Sequence, residues 1–151
     1  MDSLVKKRRP SHQTQWAAQF AVASELCKRG YEVALTMGNH PRKDLMVHSP
    51  AGGSFGVDVK GLYKRNFWAV SKKADRRDVL FYVLAFVPEG ASNRYFILTQ
   101  AEVSAGIDEV AAKAQASAIA KGKDGPWTDK FPGIDWKYAE QFEDRWDRLP
   151  D

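Results

Sequence analysis

The stretch Asp44-Leu45-Met46-Val47-His48-Ser49-Pro50-Ala51-Gly52-Gly53-Ser54-Phe55-Gly56-Val57-Asp58-Val59-Lys60 decides the fold. Two alternating runs flank a proline- and glycine-rich centre, the pattern of strand, tight turn, strand. With the turn centred on Ala51, Asp44 faces Asp58 across an antiparallel pair, where facing Cβ atoms lie about 4.5–5.5 Å apart. Side chains alternate along a strand. Asp58 and Lys60 therefore share the face of Asp44, while Leu45, Val47, Val57 and Val59 point the other way into a core.

Outward from this hairpin the chain reads as one α/β domain. Residues 1–10 lack apolar periodicity and form a mobile basic arm. A helix begins at Ser11 or Thr14, with Trp16, Phe20, Ala23 and Cys27 as its apolar stripe, broadened by Val22 and Leu26. Gly30 ends it. Residues 31–36 are rich in aromatic and β-branched side chains and predict a strand, followed by a loop at 38–41. Beyond the hairpin, 67–70 reads as a short strand, the apolar run 79–87 as a strand in the sheet centre, and 95–98 as another. The alanine-rich segment Gln100–Ala120 predicts a helix, with Val103, Ile107, Val110, Ala114 and Ile119 available for one face and Gly106 weakening its middle. Glycines and prolines make 121–134 largely loop. Residues 136–146 predict a short aromatic-rich helix packed on the core. The organisation expected is an arm (1–10), a core (11–120), and a loop with an aromatic C-terminal segment (121–151).

Bulk properties narrow the functional classes. A chain of 151 residues, 44% hydrophobic and 28% charged, is long enough for one core and is ordinary for a globular domain. Cys27 is the only cysteine, which excludes an intrachain disulfide framework or thiolate zinc site and suits a reducing setting. No apolar run approaches the roughly 20 residues of a membrane helix, and no secretory apolar core opens the chain, so a soluble, cytoplasmic protein with no membrane partner is expected. The formal charge of +4 is unevenly spread. Lys6, Lys7, Arg8 and Arg9 form one cluster. Lys60, Lys64, Arg65, Lys72, Lys73, Arg76 and Arg77 form a second, as expected of a surface that meets phosphate, although a solvated basic face looks the same.

The hairpin carries the chemistry. Opposed carboxylates repel unless a cation joins them. Asp44 and Asp58 suit Mg²⁺ or Mn²⁺, hard ions that take oxygen ligands and keep waters for a phosphate to replace. Lys60 adds an ammonium at the same site, placed to orient an attacking water or stabilise the transition state. The plain alternative is a solvated hairpin face with a chance charge pair. Lys64, Arg65, Lys72, Lys73, Arg76 and Arg77 follow directly and are the candidate nucleic-acid contacts. Trp68 and Cys27 read as core, and His12, His40 and His48 lack the spacing of a zinc site.

Asp44 followed by Asp58-Val59-Lys60 resembles the PD-(D/E)xK signature of restriction endonucleases and Holliday junction resolvases, with Lys43 where the pattern often has proline. The resemblance covers roughly residues 15–98. It implies a restriction-endonuclease-like α/β core of αβββαβ type: a helix, then a mixed central sheet with flanking helices. It further implies Mg²⁺- or Mn²⁺-dependent hydrolysis of DNA, metal-binding positions at Asp44, Asp58 and Val59, catalysis by Lys60, and a homodimer as one arrangement. Resolvase-like members carry a glutamate on the first helix, eleven positions before the glycine of the Gly-aromatic turn. Gln19 stands there and brings no charge. Glu25 is no substitute, since six residues rotate it roughly 240° away and put it near Arg29 instead. Two other classes remain in view: a nucleic-acid-binding module that kept the fold and lost efficient chemistry, and a protein whose basic face binds an acidic partner.

Overall fold

The computed structural model describes residues 8–37, 43–72, 79–123 and 132–151. Helix α1 (Ser11–Lys28) leads into β1 (Glu32–Leu35), β2 (Leu45–His48) and β3 (Ser54–Leu62), an antiparallel meander. After β4 (Trp68–Ala69) come β5 (Leu80–Phe86), β6 (Arg94–Thr99) and helix α2 (Gln100–Ala120). Strand β7 (Gly133–Ile134), helix α3 (Trp136–Ala139) and two 3-10 turns, Glu140–Phe142 and Trp146–Arg148, complete the chain. The main sheet has the order β1-β2-β3-β5-β6, and β4 pairs with β7 in a separate two-stranded sheet.

The hairpin register is the one expected, with Leu45 opposite Val57 and Val47 opposite Phe55. Strand β5 lies inside the sheet, but β3 holds the centre, because β5 runs parallel to it, pairing Asp58 with Tyr82 and Lys60 with Leu84. A parallel pair needs a crossover of a dozen or more residues. Here that crossover contains β4, and the next helix among the described residues follows β6. The mixed α/β sheet with flanking helices is therefore present, whereas the αβββαβ order differs in having no helix between β3 and β5 among the described residues.

Alternation along β3 divides two cores. Val57 and Val59 join Leu45, Val47, Val83 and Ile97 beneath α1, while Tyr82, Leu84, Phe96 and Leu98 line the opposite face beneath α2 and α3. The second core is aromatic. Trp68 and Trp136 rings lie 4.8 Å apart with Phe96 against both, so Trp68 is a packing residue as expected. Trp146 and Leu149 close the first core. Trp127, expected to pack together with Trp136 and Trp146, lies outside the described residues.

Helix α1 packs differently from its apolar reading. Its buried side chains are Thr14, Ala18, Gln19, Val22 and Leu26, a four-residue repeat of mostly smaller groups. Phe20 is 55% exposed and stacks on Trp16 outside the core, and Cys27 is exposed too, which corrects its assignment to the core. Close approach is the reason. A Cβ on Gly61 would lie 2.7 Å from the Ala18 Cβ, so small residues meet where the helix crosses β3. As expected, Glu25 faces away from Gln19 and lies 3.8 Å from Arg29.

Helix α2 starts at Gln100 because Thr99 and Glu102 form a reciprocal capping box. Val103 and Ile107 are buried, but Ile119 is 64% exposed and Ala114 also faces outward, so the packed stripe covers mainly the first half. Gly106 has a packing role. A Cβ there would meet the Tyr138 ring at 2.4 Å, and the Tyr138 hydroxyl donates to the Glu102 carbonyl at 2.6 Å. A glycine inside a helix costs roughly 1 kcal/mol relative to alanine, offset here by that contact. No helix among the described residues is long and apolar enough to cross a membrane.

Candidate active site

The site lies where β2 parts from β3. Pairing ends at Leu45 opposite Val57, and the Asp44 amide donates back to the Val57 carbonyl at 2.9 Å. Thr36 holds the departing chain, its amide donating to the Asp44 carbonyl and its hydroxyl to the Lys43 carbonyl. From residue 58 onward, β3 keeps its ladder with β5 and has no β2 residue on its other side. Odd-numbered residues aim their amide groups at that open edge, because even-numbered ones serve β5, as the Gly56 amide to Val79 and the Leu62 carbonyl to Val87 show.

Side chains take the place of the missing strand. The Val59 amide donates to Asp44 Oδ2 at 2.8 Å, and the Val59 carbonyl accepts from Gln15 Nε2 at 2.7 Å. Gln19 Nε2 donates to the other Asp44 oxygen, Oδ1, at 3.3 Å. Both amide orientations are chemically determined, since a carboxylate and a carbonyl only accept. The geometry refines the expected face-to-face aspartate pair. Asp44 stands at the strand's end with its carboxylate turned onto the edge of β3, because the chain is already leaving the ladder there.

Asp58 projects to the face bearing Tyr82, where it is 3% exposed. Lys60, two residues on, reaches it with Nζ 3.0 Å from Oδ1. Burying a carboxylate is costly unless a charge or hydrogen bonds compensate it, and Lys60 supplies that charge while a third of its side chain stays in solvent. The tripeptide Asp58-Val59-Lys60 therefore presents a carboxylate, a backbone carbonyl and an ammonium, with the Asp44 carboxylate on the amide between them.

Of the predicted site residues, Gln19, Asp44, Asp58, Val59 and Lys60 come together. The basic run does not join them as a set. Lys72 Nζ is 2.5 Å from Asp108 on α2, the Arg65 guanidinium covers the Trp136 ring at 4.2 Å, and Lys64 lies 5.5 Å from the Tyr63 ring centre. Lys73, Arg76 and Arg77 lie outside the described residues, as do His40 and most of the predicted arm. Arg9 of that arm is anchored, donating to the Val87 carbonyl at 2.7 Å over the Tyr63 ring. His48 and the Ser54 hydroxyl share a 2.7 Å hydrogen bond on the exposed surface.

Gln15 is the residue the sequence reading missed. Its signal was its position four residues before Gln19, which puts both amides on one helical face.

An oxygen-ligating divalent ion fits this donor set in kind. Two carboxylates and the Val59 carbonyl are hard ligands, and Mg²⁺ is commonly held by one or two carboxylates with waters and substrate phosphate completing its shell. Among the described residues no group of three or more His, Cys, Asp or Glu is placed to hold a metal. No protein-family model matches this chain, and no match was found among curated proteins or solved structures.

Proposed function

We propose that this chain is a metal-dependent endonuclease that hydrolyses DNA phosphodiester bonds, a member of the PD-(D/E)xK group by its motif. The observation that carries the reading is the edge of β3. Asp44 is fastened to the Val59 amide while Asp58 and Lys60 flank that residue in one strand. A strand holds these groups more rigidly than a loop, which is what positioning a scissile phosphate demands.

Asp44, Asp58 and the Val59 carbonyl would hold Mg²⁺ or Mn²⁺. When bound, such an ion polarises a phosphoryl oxygen and lowers the pKa of a water. The Lys60 ammonium, held on Asp58, orients the attacking water and offsets charge developing on the phosphoryl oxygens. Gln15 must turn its amide away for the Val59 carbonyl to serve as ligand, and Gln19 steadies Asp44 without adding charge. The basic residues Lys64 and Arg65, both exposed, supply sequence-independent attraction to the phosphate backbone.

The two glutamines also favour a second reading, a DNA-binding module with weak or lost catalysis, because they occupy oxygens that an ion would need. One experiment separates the two. Plasmid, linear and branched DNA are incubated with the protein and Mg²⁺ or Mn²⁺, beside Asp58→Ala. The nuclease reading expects cleavage that falls about 100-fold or more in the variant. Cleavage absent from the wild type and unchanged by Asp58→Ala overturns it. Salt-sensitive DNA binding without cleavage establishes the second reading.

A further inference from the structure

Beside the site is a cleft of about 390 Å³, within the range of pockets that hold small ligands. It is lined by Ser11, His12 and Gln15 from the first turn of α1, by Lys60 and Leu62 from the end of β3, and by Phe67 and the start of β4. Lys60 and Gln15 thus belong to the cleft and to the candidate active site together. Leu62 lies two residues past Lys60, roughly 6.6 Å further along the strand.

Two features distinguish this cleft from a solvated groove. Phe67 is 42% exposed, and its ring packs against Gly133, where a Cβ would lie only 2.4 Å from it. An aromatic ring packed against backbone and still 42% exposed can serve as a stacking platform. The Lys60 ammonium, shared with Asp58 at 3.0 Å, stands at the cleft, and the first turn of α1 beside it has no acidic residue to repel a phosphate. A nucleotide has that same division between an apolar ring and an anion.

We infer that this cleft binds an unpaired nucleotide next to the scissile phosphate, its base stacked on Phe67 and facing His12 and its phosphate at Lys60. A base within a duplex is already stacked and cannot enter without being unpaired, at a cost of a few kcal/mol. The substrate class that follows is DNA with a single-stranded segment at the cleavage point: a flap, an overhang or a branch. The inference rests on the nuclease reading for its substrate but on Phe67 for its binding, so the two fail separately.

The test measures fluorescence anisotropy of a labelled oligothymidylate and of a blunt hairpin duplex, with Ca²⁺ in place of Mg²⁺ to prevent turnover. Wild type is expected to prefer the single strand, and Phe67→Ala to reduce the ratio of single-strand to duplex affinity about tenfold or more, the loss of one stacked base. Phe67→Leu keeps apolar bulk against Gly133 without a ring and is expected to match Phe67→Ala, while Phe67→Trp retains the preference. Thermal melting checks that each variant is folded. An unchanged ratio in Phe67→Ala and Phe67→Leu overturns the inference even if plasmid cleavage is observed. A reduced ratio in a protein that cleaves nothing keeps the cleft as a single-strand site and removes the nuclease reading alone.

Discussion

The two halves of β3 obey the same alternation and serve opposite ends. In the first half, Ser54 to Val57, β2 pairs along one side and Gly56 begins the ladder with β5 on the other, so the backbone groups are consumed by neighbouring strands. In the second half, Asp58 to Leu62, β5 continues while β2 is gone, and the open edge is filled by Asp44, Gln15 and the approach of α1. The first half stabilises through buried Phe55 and Val57; the second brings the Asp58 carboxylate, the Val59 carbonyl and the Lys60 ammonium to a point the first half holds still. A site arises where a ladder stops, because only there do backbone amides and carbonyls need side-chain partners.

The largest effect is expected in the paired half. Leu45 is fully buried opposite Val57, and Leu45→Ala is expected to cost about 2–5 kcal/mol in urea denaturation. Gln15→Ala, in the open half, removes one partly buried hydrogen bond and should cost only about 1 kcal/mol. Equal losses from the two would show that the halves are not mechanically distinct.

A smaller effect sharpens the role of the open edge. Gln19→Glu replaces a donor to Asp44 by a third carboxylate, so Mn²⁺ affinity measured by titration calorimetry should rise about tenfold, or 1.4 kcal/mol. The metal-free variant should also melt at lower temperature, since two carboxylates then meet without a cation. Mn²⁺ binding no tighter than in wild type would count against a metal site beside Asp44.

The smallest effect comes from a control away from β3. Glu102 joins the capping box of α2 to Arg148 near the C-terminus, its Oε2 accepting from Arg148 Nη1 at 2.7 Å. Burial raises its carboxyl pKa, but hydrogen bonds from Arg148 and the Thr99 amide outweigh burial and hold it below the ordinary glutamate value. A carboxyl depressed on folding stabilises the native state above its unfolded pKa and loses that contribution as pH falls through the folded value. Wild type should therefore lose more stability than Glu102→Gln when denaturation midpoints are compared from neutral pH down into the acid range below the ordinary glutamate pKa. Parallel curves would show that this clasp has no share in acid sensitivity.

Much of the fold could be read locally. The turn at residues 49–53 and the alternation beside it determined the register, and with it the segregation of Val57 and Val59 from Asp58 and Lys60. Helix α2 was legible to its end residues because Thr99 and Glu102 cap it and the glycine at 122 follows its last turn. Helix α1 was legible as a helix but not in its buried face. Hydropathy favours Trp16, Phe20 and Cys27, whereas the tight crossing over Gly61 selects Thr14 and Ala18.

The site divides in the same way. By itself the sequence determined that Asp44, Asp58 and Lys60 belong to one hairpin, since strand period and turn chemistry are properties of neighbouring residues. Only the tertiary structure decided that the Asp44 carboxylate turns onto the Val59 amide, that Gln15 takes the Val59 carbonyl, and that Phe67 and His12 line one cleft. Those outcomes depend on which backbone groups lose their ladder partners and which distant elements arrive to replace them, and that is settled by packing between segments far apart in the chain.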